Sequence, residues 1–142
     1  MFSKFLTFSA VLLLSVVAVA QPSGSDNAQC VAVLKLQSND LAGQVKAGNE
    51  ARKPELLQVL RQGAAFVGDA WLDGSRDEDK AKAKLDQAED QVRRLEPAKA
   101  RALRQQCSTE ADTMIRQAPG WQRKVIDRFA QARMDKMLQS PQ

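Results

Sequence analysis

The sequence predicts an all-α protein, an antiparallel bundle of four to five helices that follows a cleaved N-terminal signal peptide. Apolar side chains recur at spacings of three and four through most of the chain, which is the period of an amphipathic helix. Alternating β-branched and aromatic runs and hairpin turn signals are scarce. Residues that cap or break helices separate the apolar stripes by short intervals, so consecutive helices are expected to pack antiparallel.

The N-terminus has the pattern of a secretory signal. Lys4 supplies a positive start, an apolar stretch follows, and residues 18–20 (AVA) form a small-x-small cleavage pattern. The apolar stretch is shorter than the ~20 residues that a spanning helix needs. We therefore expect residues 1–20 to be removed, residues 21–25 to form a flexible leader, and residues 26–140 to form a single helical-bundle domain without a membrane span.

The first predicted helix begins at a capping pair and ends at a glycine. Asp26 and Gln29 have the spacing of the capping pair, and Gly48-Asn49 ends the apolar pattern. The polar stretch 38–40 (SND) weakens the middle of this helix, because such side chains compete with the helical backbone for hydrogen bonds. It predicts a break there.

The second predicted helix has the broadest apolar stripe. Pro54 suits its first turn, the stripe runs from Leu56 to Trp71, and Asp73-Gly74 stops it. The small residues 63–68 (GAAFVG) favour close packing of another helix over a ligand groove.

The remaining helices are marked by breakers. Residues 75–78 (SRDE) match a capping box that opens a third helix with a narrow apolar face. Pro97 separates it from a fourth helix, because proline lacks the N–H and clashes with the preceding turn. Residues 118–120 (APG) end the fourth helix, and the fifth carries an apolar side from Trp121 to Leu138.

The two cysteines beyond the predicted signal, Cys30 and Cys107, predict one structural disulfide between the first and fourth helices. Closing so long a loop would stabilise the fold by roughly 4–5 kcal/mol. With the signal peptide, this bond indicates a periplasmic or secreted protein.

Positive charge is concentrated in the last third of the chain. Residues 93–142 hold 11 basic and 5 acidic side chains. If these cations are gathered on one side, they would attract an acidic protein or an anionic surface; if they are scattered, they only solvate the helices. Nucleic acid is not expected, since the overall charge is mild and no aromatic residues are interleaved for base stacking. The candidate binding face near Pro97 consists of Arg93, Arg94, Lys99, Arg101 and Arg104.

The composition excludes many enzyme classes. Histidine and tyrosine are absent, which removes Ser-His-Asp and Cys-His catalysis, histidine-ligated zinc and histidine-ligated haem. We expect no catalytic residues, no metal and no cofactor. Asp86, Glu89 and Asp90 are close enough for an acid–base pair, but they are expected on a solvated face.

These observations predict an exported, non-enzymatic protein of the periplasm or cell surface. The favoured hypothesis is an interaction module (an inhibitor, an immunity protein or a chaperone-like helper) whose partner is another envelope or secreted protein. One alternative is an enzyme that works without histidine in an Arg/Lys-lined pocket. The other is a carrier of a small apolar ligand between helices, lined by Phe66, Trp71, Trp121 and Phe129.

Overall fold

The computed structural model describes residues 26–72 and 77–141, with the side chains of residues 69–72 outside that description. Within these residues the chain is a bundle of five α-helices with one short 3-10 turn and no strand, which confirms the predicted fold class. The predicted signal peptide and leader, residues 1–25, lie outside the described residues. The helices are α1 (Asn27–Lys46), α2 (Lys53–Leu72), α3 (Glu78–Arg93), α4 (Pro97–Gln117) and α5 (Gly120–Gln139), and the 3-10 turn is Glu50–Arg52.

The helices begin close to where the sequence predicts. The Asp26 side chain accepts a hydrogen bond from the Ala28 backbone N–H at 3.3 Å and caps α1. Pro97 is the first residue of α4, where its missing N–H costs nothing. The cap of α3 differs from the prediction, because it is Asp77 that accepts from the Lys80 N–H at 3.1 Å, two residues beyond the expected serine cap.

The predicted break in α1 is wrong, since the helix continues through residues 38–40. The Ser38 hydroxyl donates to the Lys35 carbonyl at 2.8 Å, so its competing hydrogen bond is made inside the helix. Leu34 and Leu41 on either side are almost completely buried. Burial of these side chains outweighs the weak helix propensity of three polar residues.

The antiparallel hairpin of α1 and α2 lies at the centre of the bundle. Helix α3 packs on α1, α4 packs on both central helices, and α5 packs mainly on α2. The core lies between these helices and is dominated by aliphatic side chains. Its largest fully buried members are Leu34, Leu41, Leu56, Phe66 and the two cysteines.

A disulfide joins α1 to α4, as predicted. Cys30 and Cys107 are both fully buried, and their Cα atoms are 5.3 Å apart, inside the usual range for a disulfide. The bond joins two cysteines that are 77 residues apart in sequence. It therefore fixes α4 against the central hairpin.

The small residues of α2 pack as predicted, but the glycines are not the contact points. Ala64 and Ala65 are buried in a cluster with Ile115 of α4 and Ile126 of α5. A methyl group added at Gly63 would meet nothing within 4 Å. The alanines therefore make the close contacts of α2 with α4 and α5.

Candidate binding surface

Helix α5 is apolar on two sides. Its inner side, formed by Ile126, Ala130 and Met134, is buried against the bundle. Its outer side carries a second apolar row, in which Trp121 is 64% exposed, Val125 58% and Phe129 55%. These residues follow one another at intervals of four, so they lie along one line of the helix surface.

The outer row belongs to a single broad apolar arc of the helix. At about 100° per residue, the arc runs from Trp121 through Phe129 to Ile126 and on to the buried side chains. The pattern therefore predicts an apolar helix but does not indicate where the covered part ends. Since α5 packs mainly on α2, only the part that faces α2 and the core is covered.

Unpaired cations border the outer row. Lys124, Arg128 and Lys136 lie along one neighbouring line of the helix, at multiples of four residues, and Arg133 continues the row one turn beyond Phe129. All four are exposed, and none forms an ion pair with another residue of the described part of the chain. We call this set, the three apolar and four basic side chains together, the α5 outer surface.

The two carboxylates of α5 already have partners. Arg61 of α2 donates through Nε to Asp127 Oδ1 at 2.7 Å, so Asp127 belongs to the contact between these helices. Asp135, at the border of the α5 outer surface, accepts from the Gln131 amide at 2.9 Å. With five basic and two acidic side chains, α5 is a cationic helix.

The candidate face predicted near Pro97 lies at the corner between α3 and α4. Arg93 is 3.7 Å from Glu89 and extends along α3, and Arg94 caps the end of that helix. Lys99 and Arg101, two positions apart on α4, are separated by about 200° around its axis. They therefore lie on opposite sides of the helix.

The fifth member of that set, Arg104, is half-buried on α4. Its Nε atom is buried without a hydrogen-bond partner in the described part of the chain. The side chain therefore extends along the bundle and is less available to a partner than the exposed cations of α5.

The acidic cluster of α3 is organised by ion pairs. Lys82 donates to Asp86 at 2.6 Å, and this hydrogen bond lowers the pKa of Asp86 and raises the pKa of Lys82. The Glu89 side chain is only 12% exposed, contrary to the expectation of a solvated face, and Lys35 of α1 pairs with it. Glu89 therefore joins α3 to α1, whereas Asp86 pairs within α3.

The described aromatic residues do not line a common interior pocket. Phe66 is fully buried in the core, whereas Trp121 and Phe129 lie on the outer side of α5. The side chain of Trp71 lies outside the described residues. The described surface has, among its depressions, an open one of about 660 Å³ along α4, beside Thr109, and one of about 230 Å³ beside Ala65.

No three histidine, cysteine or acidic side chains in residues 26–72 and 77–141 are arranged to hold a metal ion. Over the same residues, none of the helices combines the length and the hydropathy that crossing a bilayer requires. Comparison of the chain with protein-family models, curated proteins and solved structures yields no match.

Proposed function

We propose that the protein is exported and works by binding rather than by catalysis, with the α5 outer surface as its contact. The observation that carries this proposal is the exposed row of Trp121, Val125 and Phe129. Three large apolar side chains in one row on a helix surface are costly to leave in water, and such patches are common at interaction sites. Tryptophan and phenylalanine are also among the residues that anchor interfaces.

Export is part of the proposal because two features of the sequence and the fold support it. The first 20 residues have the pattern of a secretory signal. The buried disulfide is of a kind that persists in oxidising compartments. A non-enzymatic role is supported by the composition without histidine or tyrosine and by the ion pairs that Asp86 and Glu89 form.

The proposal is tested by co-sedimentation of the oxidised protein with the total envelope fraction of its source cells. This fraction contains both proteins and lipids, so the assay does not depend on the class of partner. The test variant is Trp121→Gln with Phe129→Gln, which removes apolar surface without touching the core. The matched control is Val67→Gln with Leu95→Gln, since these exposed apolar side chains belong to α2 and to the turn after α3.

We expect the wild type and the control to sediment with the envelope and the test variant to remain in solution. Circular dichroism should show equal helix content in all three proteins, because every substituted side chain is exposed. Equal sedimentation of the test variant would refute the role of α5. A loss confined to Arg93→Glu with Arg94→Glu would place the contact at the α3–α4 corner instead.

A further inference from the structure

We propose that the α5 outer surface docks on an anionic phospholipid bilayer, with α5 lying in the plane of the membrane surface. This inference rests on the proposed function and names the partner. It is argued from the shape of the surface, from its charge and from its apolar area.

The shape of the α5 outer surface suits a bilayer. The apolar row stands on one helix whose other side is packed against the bundle, so the surface is convex and only its outermost side chains protrude. A protein groove that accepts an amphipathic helix contacts anchors at i, i+3, i+4 and i+7, whereas this row offers anchors only at intervals of four. The headgroup region of a bilayer accepts a shallow row of apolar side chains, as it does with interfacial helices.

The identity of the side chains fits the same position. Tryptophan is enriched at membrane–water interfaces, where its ring lies at the level of the headgroups. From Trp121 to Phe129 the row spans eight residues, or about 12 Å along the helix axis. Both ends of the row can therefore enter the interface together if the axis of α5 lies parallel to the membrane.

The charge of the α5 outer surface selects an anionic partner. Lys124, Arg128 and Lys136 flank the apolar row on one side, and Arg133 extends it beyond Phe129. None of the four has a carboxylate partner among the described residues. A second copy of this surface would bring like charges together, which opposes a symmetric dimer. Anionic headgroups would surround the row and meet the cations beside it and at its end.

The apolar area of the row also favours a bilayer over a protein partner. Given their exposed fractions, the three apolar side chains offer roughly 300 Å² to a partner. A stable protein interface buries about 800 Å² on each partner. A membrane contact can be smaller, because each cation near an anionic surface strengthens binding about fivefold.

Binding should therefore depend on the charge of the lipid and on the salt concentration. The apolar row alone is too small for tight binding, so the protein should not bind vesicles of pure phosphatidylcholine. Vesicles with about a third of phosphatidylglycerol should bind it, and binding should weaken as salt rises because the attraction is between exposed charges.

The first experiment measures co-sedimentation of the full, oxidised chain with these two kinds of vesicle. The test variant is Arg128→Gln with Lys136→Gln, which we expect to weaken binding to anionic vesicles about 25-fold, as two cations at about fivefold each. The control is Arg94→Gln with Lys99→Gln, which removes the same net charge from the α3–α4 corner. We expect the control to change binding less than threefold.

A second readout reports on insertion. The fluorescence of Trp121 should shift to shorter wavelength on anionic vesicles, because the ring leaves water for the interface. The variant Trp121→Phe should still bind but lose that shift. The variant Phe129→Gln should bind anionic vesicles more weakly while its helix content and thermal unfolding remain those of the wild type.

Three results would overturn the inference. Equal weakening in the charge variant and its control would mean that attraction is general and not located on α5. A dimer that Phe129→Gln dissociates, seen in sedimentation equilibrium, would identify a second copy as the occupant. Envelope binding that depends on Trp121 and Phe129, without binding to anionic vesicles, would identify a protein partner and leave the proposed function intact.

Discussion

The disulfide between α1 and α4 is expected to supply a large share of the stability of this protein. Reduction of the bond should lower the free energy of unfolding by about 4.5 kcal/mol, because an open loop must lose more chain entropy on folding than a closed one. The figure follows from the sequence separation of 77 residues between Cys30 and Cys107, through the chain-entropy relation at 25 °C. Domains of this size are usually stable by roughly 5–15 kcal/mol.

Urea unfolding followed by far-ultraviolet circular dichroism measures this effect. With a denaturant dependence of roughly 1–2 kcal/mol per molar, the midpoint of the reduced protein should lie about 2–4 M below that of the oxidised protein. The double variant Cys30→Ala, Cys107→Ala should unfold at still lower urea. Both sulfur atoms are fully buried, so their removal also costs packing.

The reductant itself needs a control, which the same double variant provides. Its unfolding midpoint should be unchanged by the reductant, since it has no bond to reduce. A difference below about 2 kcal/mol between oxidised and reduced wild type would refute the entropic reasoning. It would mean that the reduced unfolded chain is already compact enough to hold the two segments near each other.

Changes at four further positions should have measurable effects of known sign. Gly63→Ala should raise the free energy of unfolding by about 0.5–1 kcal/mol, because the site is helical and open. Gly48→Ala should lower it by about 1–2 kcal/mol, since Gly48 has φ 106°. Equal effects of the two substitutions in urea unfolding would contradict this reasoning. Asp112→Ala should lower the free energy of unfolding by about 1–3 kcal/mol in the same assay, because two glutamine amides of α2 that donate to Asp112 at 3.0 Å lose their acceptor. Asp112→Asn should recover part of this loss. No recovery would mean that the charge of Asp112 matters more than its hydrogen bonds. Removal of Lys82, which donates to Asp86, should raise the pKa of Asp86 toward its ordinary value. Because this pKa is lowered in the folded protein, the small contribution of the pair to stability is present at neutral pH and is lost as the pH falls below the ordinary aspartate pKa. An unchanged titration of the Asp86 carboxyl in NMR spectra would count against the pairing.

Local chemistry explains why so much of the bundle could be predicted. Asp26 as a cap, Pro97 as a first helical residue and Gly48 as the end of α1 each act through their own backbone or side chain. The pairing of the two cysteines also followed from their number, because two cysteines allow only one intramolecular disulfide. None of these predictions required knowledge of which helices are neighbours.

The predictions that failed depended on neighbours. The polar stretch of α1 was expected to break the helix, but Ser38 is buried with its hydroxyl bonded to the preceding turn. Glu89 was expected on a solvated face, but Lys35 of α1 lies beside it. In both cases packing supplied a partner that the local pattern does not contain.

Most helix boundaries and the disulfide could be predicted from the sequence alone, because they depend on side chains that are close together along the chain or on a single possible pairing. Which part of α5 is covered depends on how the helices pack. Trp121 and Ile126 belong to the same apolar arc of the helix, and nothing in their spacing distinguishes them. Because α5 packs mainly on α2, Ile126 is buried and Trp121 is exposed to a partner.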